Sequence, residues 1–149
     1  METQVQKRLL ESDPYLYQKL YIEKQVPSQS DSNERKRELQ RQRSREFGIR
    51  ALEDGTENLT FPAGNPRDLR LYGDPVNLKY PIDTLGRANN ARARLKQAAG
   101  QQSYNARELN IIHERIVRRQ LQLGANPSYN PDDRLDRALP SDLRDRLQR

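Results

Sequence analysis

Two apolar stripes at helical spacing lie between Thr84 and Gly124, and no other part of the chain offers comparable apolar material. In the first, Leu85, Ala88, Ala91, Leu95 and Ala98 recur at roughly the 3.6-residue period of a helix. Thr84 precedes it as a natural N-cap and Gly100 stops it. In the second, Leu109, Ile112, Ile116, Val117 and Leu121 form the stripe, with Ser103 or Asn105 as the cap and Gly124 just past the end. Alanines on the inner face of the first helix let the second approach closely. The spacing therefore predicts an antiparallel helical hairpin over 80–124, with Tyr80-Pro81-Ile82 folded across its open end.

Little apolar side chain is left for the remaining residues. Only 33% of the 149 residues are apolar and 32% are charged, against about 45–50% apolar in ordinary globular domains. A chain so poor in buriable surface struggles to offset the entropy lost on ordering. The expected fold is mainly α: a small antiparallel helical hairpin with extended arms that order against a partner. Residues 1–26 read as a helical N-terminal arm, broken near Asp13-Pro14. Within it Tyr15, Leu16, Tyr17, Leu20 and Tyr21 crowd three aromatics and two leucines into two turns, an anchoring contact for another protein. Residues 27–48 combine a Ser-rich linker with a charged helix over 33–47, whose only apolar residues are Leu39 and Phe47 and which ends at Gly48.

Residues 49–79 carry Gly55, Pro62, Gly64, Pro66, Gly73 and Pro75, a punctuation that forbids any long regular element. This Pro/Gly-rich strap presents Leu59, Phe61, Leu69, Leu71, Tyr72, Val76 and Leu78 singly, as pegs for a neighbour's surface; Phe61, Leu71 and Tyr72 are the partner-binding candidates among them. The tail, 125–149, begins short helices after Asn130-Pro131 and at Pro140-Ser141, bearing Leu135, Leu139, Leu143 and Leu147. Its five Arg balance five Asp, which suits a docking helix better than a nucleic-acid tail.

Charge narrows the partners. Lys and Arg total 27 against 21 Asp and Glu, a net charge of +6, and the isoelectric point is near 9.8. Arg far outnumbers Lys, and its planar fork suits carboxylate or phosphate. Arg87, Arg92, Arg94, Arg115, Arg118 and Arg119 are the candidate contacts on the hairpin. The chain has no Cys, which excludes a disulfide framework and thiolate metal ligation. A single His, His113, cannot form a His pair for a metal or a Cys-His couple; it is expected at the edge of the hairpin interface. Asp132, Asp133 and Asp136 sit beside Arg134 and Arg137 and lack the Gly and terminal Glu of a calcium loop, so salt bridging is expected there. Ser103 and Ser141 read as caps. No catalytic residue, metal ligand or cofactor site is expected. The first residues lack a signal-peptide run and no stretch is apolar enough to span a bilayer, so the expectation is a protein made in the cytosol with no membrane partner.

The string Leu-Lys-Tyr-Pro-Ile-Asp-Thr at 78–84, followed by Ala88, Ala91 and Leu95, then Arg115-Ile116-Val117 and Leu123-Gly124, resembles a small helical module of tailed-bacteriophage head proteins. In that family a Tyr-Pro-Ile lead-in precedes an Ala-rich helix, and a second helix ends in an Arg-Ile-Val…Gly pattern. The module is often appended to the capsid maturation protease or to scaffold and virion-associated proteins. The likeness covers 78–124, and no protease-like region lies upstream, so it implies a virion context and no catalytic role. Two functions follow as expectations. The first is a virion structural protein, a minor head, cement or connector-associated chain made in the host cytoplasm, that binds capsid or connector subunits in a hetero-assembly. The alternatives are a basic nucleic-acid-binding protein, or a small regulatory adaptor.

Overall fold

A computed structural model describes residues 29–52, 60–97 and 102–149. The chain divides into two compact units, residues 1–38 and 39–149. Of the first, only 29–38 are described, as the opening turns of helix α1 (Gln29–Phe47). Tyr15, Leu16, Tyr17, Leu20 and Tyr21 lie outside the described residues, as do Leu59, Ala98 and Gly100. Helix α1 starts earlier than its expected beginning at 33, so the end of the presumed linker is helical. Gly48, at φ +74°, turns the chain out of it.

The second unit is mainly helical around a two-stranded sheet. Strands β1 (Tyr72–Asp74) and β2 (Lys79–Pro81) pair antiparallel, with Tyr72 opposite Pro81 and Asp74 opposite Lys79. Helix α2 (Leu85–Leu95) and helix α3 (Ala106–Gln122) follow, then the short α4 (Arg134–Arg137) and α5 (Ser141–Leu147). Thr84 caps α2 by accepting from the Arg87 amide. Asn105, not Ser103, caps α3 in a reciprocal box with Glu108. Gly124 takes φ +86°, as the residue after the C-cap of α3 often must.

The hairpin stripes meet as their spacing requires. Ala88, Ala91 and Leu95 of α2 face Leu109, Ile112 and Ile116 of α3 in one buried cluster. Leu85 departs, staying 38% exposed, and Val117 and Leu121 turn instead to a second cluster with the tail. The first cluster also takes in Ile49, Val76, Ile82, Tyr104 and Leu135. The hairpin is therefore not an independent module. Segments expected as strap and tail complete its core.

Within the presumed strap, Tyr72, Val76 and Leu78 are buried in this chain's own interior rather than offered to a neighbour. Tyr72 is fully buried, donates its hydroxyl to the Pro66 carbonyl at 2.6 Å and stacks on Phe61 with ring centroids 6.1 Å apart. Phe61, Leu69 and Leu71 are half-buried. The physical cause is Gly73: a Cβ there would stand 3.0 Å from Ile116 Cγ1 and 3.2 Å from Tyr80 Cβ. Only a glycine lets β1 lie flat on α3. Arg115 then fastens the ribbon by donating to the Tyr72 and Leu69 carbonyls, while its guanidinium stands 5.0 Å from the Phe47 ring centre. Arg119 does the same for the Ile82 and Asp83 carbonyls.

The tail also docks on its own chain. Leu135 enters the main core, and Leu139 and Leu143 close over Val117 in a second cluster. Asp133 caps α4. The segment 49–52 is tied in by Glu108, which accepts from the Arg50 amide at 2.6 Å and from its guanidinium, and by Asn77, which accepts from the Leu52 amide. No helix among the described residues is long and apolar enough to cross a membrane.

Candidate functional site

The ionisable groups of the body sort into buried knots that hold it together and exposed cations that remain available. The central knot is Asp136, fully buried at the N-terminal side of the tail. It accepts from Arg92 at 2.9 Å, from Lys96 at 3.0 Å and from the Asn130 amide at 2.9 Å. Burial alone would raise its pKa. The Asn130 amide, Lys96 and Arg92 outweigh burial and hold the carboxyl well below its ordinary range, with His113 Nε2 3.3 Å away. Arg92 also donates to the Ser128 carbonyl and, through Nε, to His113 Nε2 at 3.2 Å. Arg92 thus serves the interior, against its expected role as a phosphate or carboxylate contact for a partner. His113 is fully buried rather than at the interface edge, and its Nδ1 has no partner among the described residues. Burial pushes its pKa down, as do the charges of Arg92 and Lys96, against the opposing pull of Asp136. Asp133 and Asp136 do form salt bridges, but to Arg92 of α2 and to Lys96 at its C-cap rather than to the neighbouring Arg134 and Arg137.

A second knot is Asp74, fully buried beneath the ribbon. It accepts from the Tyr104 hydroxyl at 2.6 Å, from the Asn77 side chain and from the Val76 and Asn77 amides. Burial wins there and raises the Asp74 pKa. Both Tyr104 and Tyr80 have their phenol pKa raised, by burial first and by the Asp74 charge second, so each keeps its proton.

Above this knot opens a cleft of about 530 Å³ between β2 and α2. Its apolar part is Ala91, Pro81 and the rings of Tyr80 and Tyr104. Lys79, Arg87 and Arg94 supply positive charge, Asn90 and Gln97 supply amides, and Ser103 a hydroxyl. No carboxylate lines it among the described residues. Arg87 is held by Asp83, Asn65 and the Gly64 carbonyl, whereas Lys79 and Arg94 are exposed. Tyr80 sits at φ +60° and Leu78 at φ +52°, a left-handed region that costs a branched or bulky residue energy. The surrounding contacts, chiefly Gly73 beneath Tyr80, hold this conformation and present the Tyr80 ring to the cleft.

The six candidate arginines therefore part company. Arg87 and Arg94 share the cleft. Arg115, Arg118 and Arg119 line a separate depression of about 170 Å³ with Arg70. Arg118 is paired with Glu114 at 2.9 Å and reaches Asp142 at 3.5 Å. Lys79, Asn90 and Gln97 carry no expected role in the sequence, and Ser103 was expected only as a helix cap. The recurrence of Arg87, Asn90 and Arg94 three and four residues apart was the available signal. No protein-family model, curated protein or solved structure matches this chain.

Proposed function

We propose that this chain is a structural docking protein of a tailed-bacteriophage virion, a minor head, cement or connector-associated component that binds capsid or connector subunits and performs no catalysis. The observation that carries the reading is the cleft. Every residue lining it falls between Lys79 and Tyr104, inside the 78–124 string that resembles the phage head-protein module. A concave site of this size, part apolar and part polar, is the form that recognition sites take. Asp74 and Asp136 tie ribbon, helices and tail together around it. The Tyr15–Tyr21 stripe supplies a further contact in this reading, and several weak contacts on one chain reinforce one another through effective concentration. The protein is made in the host cytoplasm and ends in the particle. The test is co-sedimentation of the purified chain with assembled heads, quantified per head. A fixed, saturable copy number is expected; failure to co-sediment, or uptake that never saturates, would refute the assignment.

One observation favours nucleic acid as a second reading. Four arginines, Arg70, Arg115, Arg118 and Arg119, line the smaller depression, and no carboxylate lines it among the described residues. Among the described residues Arg115 and Arg119 donate to neutral groups, namely backbone carbonyls and, for Arg119, the Gln122 amide oxygen. A phosphate seated there would be released by salt, with log K falling linearly in log salt. Binding of duplex DNA that weakens in this way, and that Arg115→Gln with Arg119→Gln abolishes, would establish this reading over the first.

A further inference from the structure

We infer that the cleft between β2 and α2 is a groove for a short, extended, acidic peptide segment of the partner, with an apolar side chain of that segment seated between two carboxylates. The inference rests on the docking reading above and adds the chemistry of what is docked.

The geometry is linear. Arg87 and Arg94 are seven residues apart on α2, which at about 1.5 Å per residue places their Cα atoms roughly 10 Å apart along the axis. An extended chain rises about 3.3 Å per residue, so about three residues of peptide cover that span. Asn90 stands between the two arginines and Gln97 follows just beyond α2. Side-chain amides each offer a donor and an acceptor, the pair that an extended backbone presents. The apolar lining of Ala91, Pro81 and the two tyrosine rings lies among these polar groups. Ala91 has no bulk of its own and leaves room for a side chain.

Charge selects acid. Asp83 neutralises Arg87, while Lys79 and Arg94 face the cleft with no carboxylate in its lining. The Arg87–Arg94 span sets the length of the groove along α2. Lys79 on β2 and Arg94 on α2 come to the cleft from its two sides, and with Ala91, Pro81 and the tyrosines in the same lining they suit two carboxylates flanking an apolar residue. They suit a run of phosphates less well, because nucleic acid needs cations repeated along a track. The left-handed Tyr80 fits the same account. A bulky residue persists in that conformation only where the surroundings over-determine it, and here it holds a ring at the wall of the groove.

The test is selection of a fully randomised hexapeptide library on the full-length chain at physiological salt. It is repeated on Lys79→Glu/Arg94→Glu, and on Arg146→Glu/Arg149→Glu, which lowers net charge equally but lies outside the cleft. The wild type and the Arg146/Arg149 variant are expected to enrich peptides with Asp or Glu two to four positions apart around an apolar residue. Synthetic copies of the winners are expected to bind the Lys79/Arg94 variant at least tenfold more weakly. No acidic enrichment, or equal binding by the Lys79/Arg94 variant, would overturn the proposal. So would a labelled oligothymidine that binds the cleft in place of the peptides and is lost with the same two substitutions. Co-sedimentation with heads separates this idea from the one beneath it. Native uptake of the Lys79/Arg94 variant sinks the groove and leaves the docking protein standing, whereas failure of the wild type sinks the docking protein while the library still judges the groove.

Discussion

Asp136 gathers donors from Arg92, Lys96 and the loop before α4 and lies 3.3 Å from His113 Nε2 on α3, so one carboxylate ties the tail to both hairpin helices. Arg92 is only 6% exposed, and removing its counter-charge leaves a buried guanidinium unpaired. Asp136→Asn should cost about 3–5 kcal/mol of unfolding free energy in urea titrations, the range for breaking a buried pair from one side. His113 gives the same knot a pH dependence. Its folded pKa lies below the ordinary 6.5, so the folded state binds fewer protons than the unfolded chain once pH falls through that value. Its contribution is intact above about 6.5 and is lost on acidification. Asp136, depressed below its ordinary 3.8, adds a second loss at still lower pH. Asp74, raised by burial, runs in the opposite direction, so a difference measurement isolates the histidine. Between pH 7 and 5 the wild type should lose stability relative to His113→Gln, by up to about 1.4 kcal/mol per pH unit for one proton. Parallel profiles for the two proteins would show that His113 does not titrate on unfolding.

At the scale of elements, the main contact is α3 against α2 and the ribbon. Ile116 is fully buried where all three meet, and Ile116→Ala should lower stability by about 2–4 kcal/mol through lost burial and an unfilled cavity. Gly73→Ala should cost about 1–3 kcal/mol for the opposite reason, overpacking against the same isoleucine. Thermal melts of both variants check the pair, and an unchanged midpoint for either would remove Ile116 from the core. These elements were unequally legible. Both hairpin helices, the Thr84 cap and the Gly124 exit are local signals, written within a few residues of where they act, while the choice of Asn105 over Ser103 came only with the capping box to Glu108. The ribbon was not, because its left-handed positions are filled by Leu78 and Tyr80 instead of Gly or Asn. The burial of Tyr72 depends on Ile116 lying over Gly73, a contact between residues far apart in sequence. Likewise the tail's leucines announced a docking helix but not its partner, which is Val117 and the main core. Of the cleft, Arg87 and Arg94 could be named from charge alone. Lys79 and Ser103 could not, because β2 and the start of α3 come to α2 only in the folded chain.

For the whole molecule, the core draws on Ile49, Val76 and Leu135 as well as the hairpin. A fragment of residues 78–124 should therefore lack a cooperative thermal transition, whereas residues 39–149 should melt cooperatively. Cooperative melting of the short fragment would contradict the shared core. At the same scale, removing residues 1–26 should leave the melting of 39–149 unchanged while abolishing uptake into heads, as the docking reading requires of the Tyr15–Tyr21 stripe. Uptake of that truncated chain at native copy number would shift the anchoring to the cleft alone.

The separation of 44 residues between Arg92 and Asp136 has a consequence for biosynthesis. Translation runs from the N-terminus, so α2 and α3 emerge from the ribosome carrying Arg92, Lys96 and His113 before their common acceptor exists. Until residue 136 emerges, those three side chains lack the carboxylate they share. A chain cut before Asp136 should therefore melt well below the intact one, which a thermal melt of residues 39–135 checks.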